Sequence, residues 1–283
     1  MFLLILLSLF VFGLCLGSFI NAQQYRIEVG KKNTGRSFCP KCKQKLVWYD
    51  LIPVFSWVFL HGKCRYCRKP ISWHYPLVEL LTGFIFVGVG LKSGFIVKIA
   101  DYFAYNTTTN RGLIILLVSF ICLLLISVCF ILIALHDAKT GYVLSAIVYL
   151  TIILSLVYLI VSYSGNLNIN SLWLYFKPYL LSTIIAGGMF YLIYFISKGK
   201  WMGAGDIEIA VMMGIFLGWP NVSISLYFAF ITGAIYGSIK VLDHKAGLKS
   251  AIPFGPFLIA GIFFSYFFGV QVFSTYARIF LGL

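Results

Sequence analysis

The 283-residue sequence predicts an all-α polytopic membrane protein with about eight transmembrane helices, and three observations predict it. Hydrophobic residues make up 61% of the chain and charged ones only 11%, against about 25% charged in a soluble domain. Apolar runs recur along the whole length, most of them near the roughly 20 residues that a ~30 Å hydrocarbon core demands. The basic residues are also clustered. Half of the 22 Lys and Arg lie between Gln24 and His74, opposed there only by Glu28 and Asp50. Cytoplasmic loops accumulate Lys and Arg, so the net charge of +14 reads as orientation and lipid contact, with no nucleic acid as partner.

The chain divides into residues 1–20, a first transmembrane helix; 21–75, a cytoplasmic cysteine-rich loop; 76–111, a second transmembrane helix and outer loop; and 112–283, a six-helix membrane domain. The run Phe2 to Ile20 has no positive start and no small-residue cleavage site, so it is expected to be a retained span. Gly13 and Gly17 are four apart, a spacing that lets helices approach closely.

The loop carries Cys39-Pro-Lys-Cys42 and Cys64-Arg-Tyr-Cys67. Two Cys-x-x-Cys pairs form two tight knuckles, each supplying two thiolates, and their separation is near that of zinc ribbons. In a reducing cytosol zinc is favoured over disulfides, so Cys39, Cys42, Cys64 and Cys67 are the expected structural zinc ligands. Between the pairs, Trp48, Leu51, Ile52, Phe55, Trp57 and Phe59 make either an apolar centre for the module or a surface against the headgroups. Sequence leaves that choice open.

After His74-Tyr75-Pro76, the second span carries Glu79 near its inner end. A carboxylate inside a span is a functional candidate, with a structural bond to a helix terminus as the alternative. Lys92 to Arg111 is expected as an outer loop. The third span, Gly112 to His136, ends at Asp137, with Gly141 marking a turn, and the fourth runs from about Tyr142 to Val161. A fifth, about Pro178 to Ile196, returns to Ser197-Lys-Gly-Lys200. Asp206 then opens a short apolar stretch to Leu217. At about 1.5 Å per residue it covers only some 20 Å, so it is expected to be thin, tilted or shielded. Val222 to Ile239 and Ala251 to Val270 complete the set, with a basic inner loop of Lys240, Asp243, His244, Lys245 and Lys249, and Pro253-Phe-Gly-Pro256 at the last helix mouth. Counting spans places Asp137 and Asp206 on one membrane face. Aspartates at such borders are costly to dehydrate and ask for a partner or a job.

Gly13-Leu-Cys-Leu-Gly17-Ser-Phe-Ile-Asn21, the two cysteine pairs around Trp48-Tyr-Asp-Leu-Ile-Pro53, Pro70-Ile-Ser-Trp-His-Tyr-Pro76-Leu-Val-Glu79, Asp137, Gly203-x-Gly205-Asp206 and Pro253-Phe-Gly-Pro256 resemble a bacterial type IV prepilin peptidase over nearly the whole chain. The resemblance implies an intramembrane aspartyl protease in the bacterial inner membrane, with its active site on the cytoplasmic side. It implies removal of the basic leader of prepilins and pilin-like secretion proteins after a glycine. It also implies Asp137 and Asp206 as the catalytic pair, and N-methylation of the new amino terminus with S-adenosylmethionine. No glycine-rich nucleotide fingerprint locates that cofactor. The chain departs from the family pattern in having Val143-Leu144 for the usual Ile-Pro and Glu208 for the usual lysine.

Two neighbouring carboxylates share one proton, which lets one activate water while the other donates to the scissile carbonyl. Gly203 and Gly205 are expected to let the backbone bend and approach substrate, and Glu208 to add charge beside Asp206. The reading from a different class is a non-enzymatic transporter or assembly scaffold with a zinc docking module.

Overall fold

The computed structural model describes residues 2–30, 35–105, 109–164, 169–243 and 252–281. Among these the protein is all-helical, the only extended pairing being two isolated bridges. His244, Lys245 and Lys249 of the expected basic loop lie outside the described residues. The chain folds as two compact units, Met1–Asn110 and Arg111–Leu283.

In the first unit, α1 (Phe2–Glu28) and α3 (His74–Lys92) pack antiparallel. Their register follows from the glycines. A Cβ on Gly13 would stand 2.7 Å from Gly83 Cα, and one on Gly17 would stand 2.6 Å from Glu79 Cα. One step further, the Asn21 amide donates to the Tyr75 carbonyl at 3.0 Å. Small residues every fourth position thus bring the two backbones together where lipid supplies no hydrophobic drive between helices. The expected outer loop contains a helix instead, α4 (Phe95–Tyr105). Phe95, Ile96 and Ile99 fall on one side of it and are buried. Between α1 and α3 sit the cysteine knuckles, a 3-10 turn at Trp48–Leu51 and the short α2 (Phe55–Phe59).

The second unit holds α5 (Asn110–Thr140), α6 (Ser145–Tyr163), α7 (Ile169–Ser197), α8 (Ala204–Leu217), α9 (Asn221–Leu242) and α10 (Gly255–Tyr276). Seven helices among the described residues are long and apolar enough to cross a membrane, and α8 is not one of them. The expected count of about eight therefore resolves into seven full-length helices plus one of 14 residues. The short helix is shielded, as its length demanded: α6, α7 and α10 pack around it, and Ile209, Ala210, Met212 and Met213 have no solvent exposure. Against α7 the approach is very close, because Gly214 faces the Thr183 backbone and the Ser182 hydroxyl donates to the Gly214 carbonyl at 2.7 Å. The helix of the fifth span begins nine residues before Pro178, which sits inside α7 with its carbonyl accepting from Trp219 N–H at 3.0 Å.

Candidate active site

Asp137 lies on the last turn of α5. That helix stops where Gly141, at φ +69°, returns its N–H to the Asp137 carbonyl at 2.8 Å, the left-handed cap that glycine makes cheaply. Asp206 lies on the first turn of α8, and its carboxylate accepts from the Gly203 N–H at 3.3 Å. The orphan N–H groups of a helix start favour an acidic residue there. Both carboxylates occupy the same end of the second unit, and their charges interact. Asp137 is only 3% exposed and Asp206 more accessible.

A third group completes the arrangement. Gly255, the first residue of α10, donates its N–H to Asp137 Oδ2 at 2.9 Å. A Cβ there would fall 2.5 Å from that oxygen and 3.2 Å from Ile209 Cδ1, one turn beyond Asp206 on α8. The Pro253-Phe-Gly-Pro256 motif thus ties the start of α10 to Asp137. The sequence placed this motif at the mouth of the last helix without identifying the donor. The signal that finds it is a glycine at the N-terminus of a helix, followed by a proline that offers no N–H of its own.

Gly203 and Gly205 do not act as bends. Gly203 has an ordinary extended backbone and an open side toward Asp206, while Gly205 is inside α8. A Cβ on Gly205 would fall 2.6 Å from Val143 Cβ, so that glycine seats α8 against the turn between α5 and α6. Glu208 lies about 200° round the helix from Asp206. It accepts from the Tyr149 hydroxyl of α6 at 3.1 Å.

In the first unit, the four cysteine sulfurs lie within 4.8 Å of one another. The two knuckles repeat one geometry. Cys39 N–H bonds Gln44 and Lys43 N–H bonds the Cys39 carbonyl; Cys64 N–H bonds Lys69 and Arg68 N–H bonds the Cys64 carbonyl, all at 2.9 Å. Lys43 and Arg68, each directly after the second cysteine of its pair, take matching φ values of +60° and +58°. Burial raises the Cys39 thiol, but the Cys42 and Lys41 N–H groups and the Cys42 and Cys64 thiols outweigh it and bring it down to about 7. Cys42 receives a lowering bond from Gln44, yet burial and the neighbouring sulfurs push it up to about 11. Four sulfurs this close can all ionise only around a cation, and a tetrahedral Zn²⁺ with Zn–S near 2.3 Å fits the set.

Glu79 is 7% exposed and accepts from the Val54 N–H at 2.7 Å and from the Ser18 hydroxyl. It pegs the loop to the helix pair.

Comparison with known proteins agrees with this division. Residues 11–93 match the Bacterial Peptidase A24 N-terminal domain, and residues 122–238 match the Type IV leader peptidase family. The chain is 28% identical to the prepilin leader peptidase/N-methyltransferase of Bacillus subtilis, over 97% of this chain and 98% of that one. It is 25% identical to the protein of that name from Stutzerimonas stutzeri, covering 95% and 92%, and 29% identical to the one from Legionella pneumophila, covering 85% and 75%. No solved structure matches the chain. The cysteine cluster falls inside the first matched segment and the two aspartates inside the second, in the order the sequence motifs required, and the chain belongs to the type IV leader peptidase family.

Proposed function

We propose that this protein is an intramembrane aspartyl endopeptidase that removes the basic leader of type IV prepilins and pilin-like proteins. The cut falls after a glycine at the cytoplasmic membrane face, and N-methylation of the new amino terminus follows. The observation that carries the reading is the meeting of Asp137 and Asp206 at one end of the second unit, with the Gly255 N–H on Asp137.

The anion with the stronger donor is Asp137, which has the shorter N–H bond and the start of α10 behind it. It takes a proton from water, whose oxygen attacks the scissile carbonyl, while Asp206 carries the proton shared by the pair and donates it to the carbonyl oxygen. Collapse of the tetrahedral intermediate breaks the C–N bond, with Asp137 returning its proton to the leaving nitrogen. Asp206, the more accessible of the two, faces the incoming chain. The transporter or scaffold alternative is not favoured, since both the matched family and the relatives are peptidases.

Cys39, Cys42, Cys64 and Cys67 hold structural zinc in the first unit. For the methyl donor, Gln24 is the fitting residue. It is 1% exposed, gives its amide N–H to Glu28 at 3.1 Å, and leaves Oε1 buried without a donor, which an amino group of S-adenosylmethionine would satisfy. When bound, that cofactor supplies an electrophilic methyl group.

The test is cleavage of a prepilin in membranes by wild type, Asp137→Asn and Asp206→Asn, with insertion of each variant checked. Both variants insert and neither cuts; wild-type rates in either would sink the pair. Binding of S-adenosylhomocysteine to the whole protein tests Gln24 separately. Gln24→Leu weakens it about tenfold, the worth of one hydrogen bond to a buried group, and unchanged binding would remove Gln24 from the reading.

A further inference from the structure

The sequence left open whether the aromatic stretch between the cysteine pairs is an apolar centre or a surface. The structure turns it outward. Phe55, Val58 and Phe59 are 58%, 55% and 77% exposed, and Trp48, Leu51, Ile52 and Trp73 are exposed beside them. The module's cohesion comes instead from its knuckles and from Trp57, whose ring packs on Trp73 at 4.0 Å and whose indole N–H bonds the Ile71 carbonyl. A continuous apolar face of this kind on a small module marks an interaction surface.

The depth of this face identifies what covers it. α3 has 19 residues, about 28 Å at 1.5 Å each, so it needs nearly its whole length to cross a ~30 Å core. Glu79 is its sixth residue and lies some 7 Å along it. The Val54 N–H is bonded to that carboxylate, and Val54 holds φ +61°, costly for a β-branched residue, to make the bond. The start of α2 is therefore fixed at the edge of the hydrocarbon layer and cannot float above it. In the stretch that follows α2, Lys63, Arg68 and Lys69 are exposed, a basic rim that matches anionic headgroups, while Arg65 is paired with Asp50 at 2.8 Å.

We infer that α2 and the adjoining 3-10 turn form an interfacial wedge, with Phe55, Val58 and Phe59 inserted into the headgroup–acyl boundary and the basic rim on anionic lipid. Short apolar faces bordered by Lys and Arg bind bilayers in this way, and Trp at the boundary anchors them. The inference does not depend on the chain's cutting prepilins.

The full-length protein is reconstituted in vesicles of phosphatidylcholine and phosphatidylglycerol, with p-benzoylphenylalanine replacing Phe59 or, as a control, the exposed Gln44 of the first knuckle. After irradiation, lipid adducts at position 59 are expected to exceed those at 44 by about fivefold, with phosphatidylglycerol over-represented among them. Equal yields at the two positions, or adducts at 59 mainly to protein, would overturn the wedge. A second measurement covers a probe that disturbs the fold. In Phe59→Trp with zinc retained, brominated acyl chains quench the added fluorescence more than aqueous acrylamide does; the reverse order would also overturn it.

Discussion

Glu79 and Asp137 are two buried carboxylates in apolar helices, each accepting one backbone N–H, from Val54 at 2.7 Å and from Gly255 at 2.9 Å. What differs is the remaining surroundings. Glu79 also receives the Ser18 hydroxyl, so both its neighbours are donors, and these bonds hold the loop to the helix pair. Asp137 has a second carboxylate within electrostatic range. A buried acid surrounded by donors serves as a peg, whereas one facing another acid has a proton to share, which is what the proposed mechanism uses. An intramembrane carboxylate is a functional candidate by default, and its partners decide which kind.

The sharpest break in this comparison is amide replacement. Asp137→Asn or Asp206→Asn lowers cleavage by about 10³-fold or more, the scale of lost general acid–base catalysis. Glu79→Gln leaves cleavage within about threefold, because a peg's amide still accepts the Val54 N–H. Loss of cleavage by Glu79→Gln comparable with that of the aspartate variants would erase the distinction.

Gly255→Ala comes next. Its methyl would enter the space of Asp137 Oδ2, so the carboxylate must shift, and cleavage falls about 10²-fold in membranes where the variant inserts normally. Wild-type rates here would show that the Gly255 bond does not position Asp137.

On the peg side, Glu79→Ala removes the acceptor for Val54. The cost is about 1–3 kcal/mol, confined to the first unit, and hydrogen exchange at Val54–Phe59 rises while exchange in α8 does not. Cys64→Ser acts on the same unit by another route: zinc, measured by metal analysis, drops below stoichiometric, and the knuckle amides of Cys39 and Lys43 exchange faster.

The smallest effect tests the seating of α8. Gly205→Ala meets Val143 and costs about 1–2 kcal/mol of stability, an overpacking penalty that Val143→Ala returns in the double variant. Additive losses would mean that the two residues are not in contact. Glu208→Gln keeps an acceptor for Tyr149 and changes cleavage within about twofold.

Much of this protein was legible from residue order. Apolar run lengths fix where helices can cross a bilayer, because the hydrocarbon core sets a length and every backbone group must be bonded within it. Cys-x-x-Cys pairs carry their geometry with them, since a knuckle is a local turn. Helix counting predicted that Asp137 and Asp206 would share an end, and the structure brings their charges within range of one another.

Long-range contacts set the rest. Gly255 became a donor to Asp137 from 118 residues away, and Val54 a donor to Glu79 from 25; the Gly-Pro start of α10 marks the first as a donor but not its acceptor, and nothing local marks the second. Gly205 looked like a bend and proved to be a contact with Val143. The α4 helix was hidden in a stretch whose polar end read as loop, and α8 is shorter than a span because its neighbours, not lipid, surround it. Sequence determined the pieces and the face each pair of residues would reach, because periodicity and length are properties of a segment. Tertiary structure alone decided which carboxylate is a peg and which belongs to a pair, because that depends on the group standing opposite, and the chain brings that group from elsewhere.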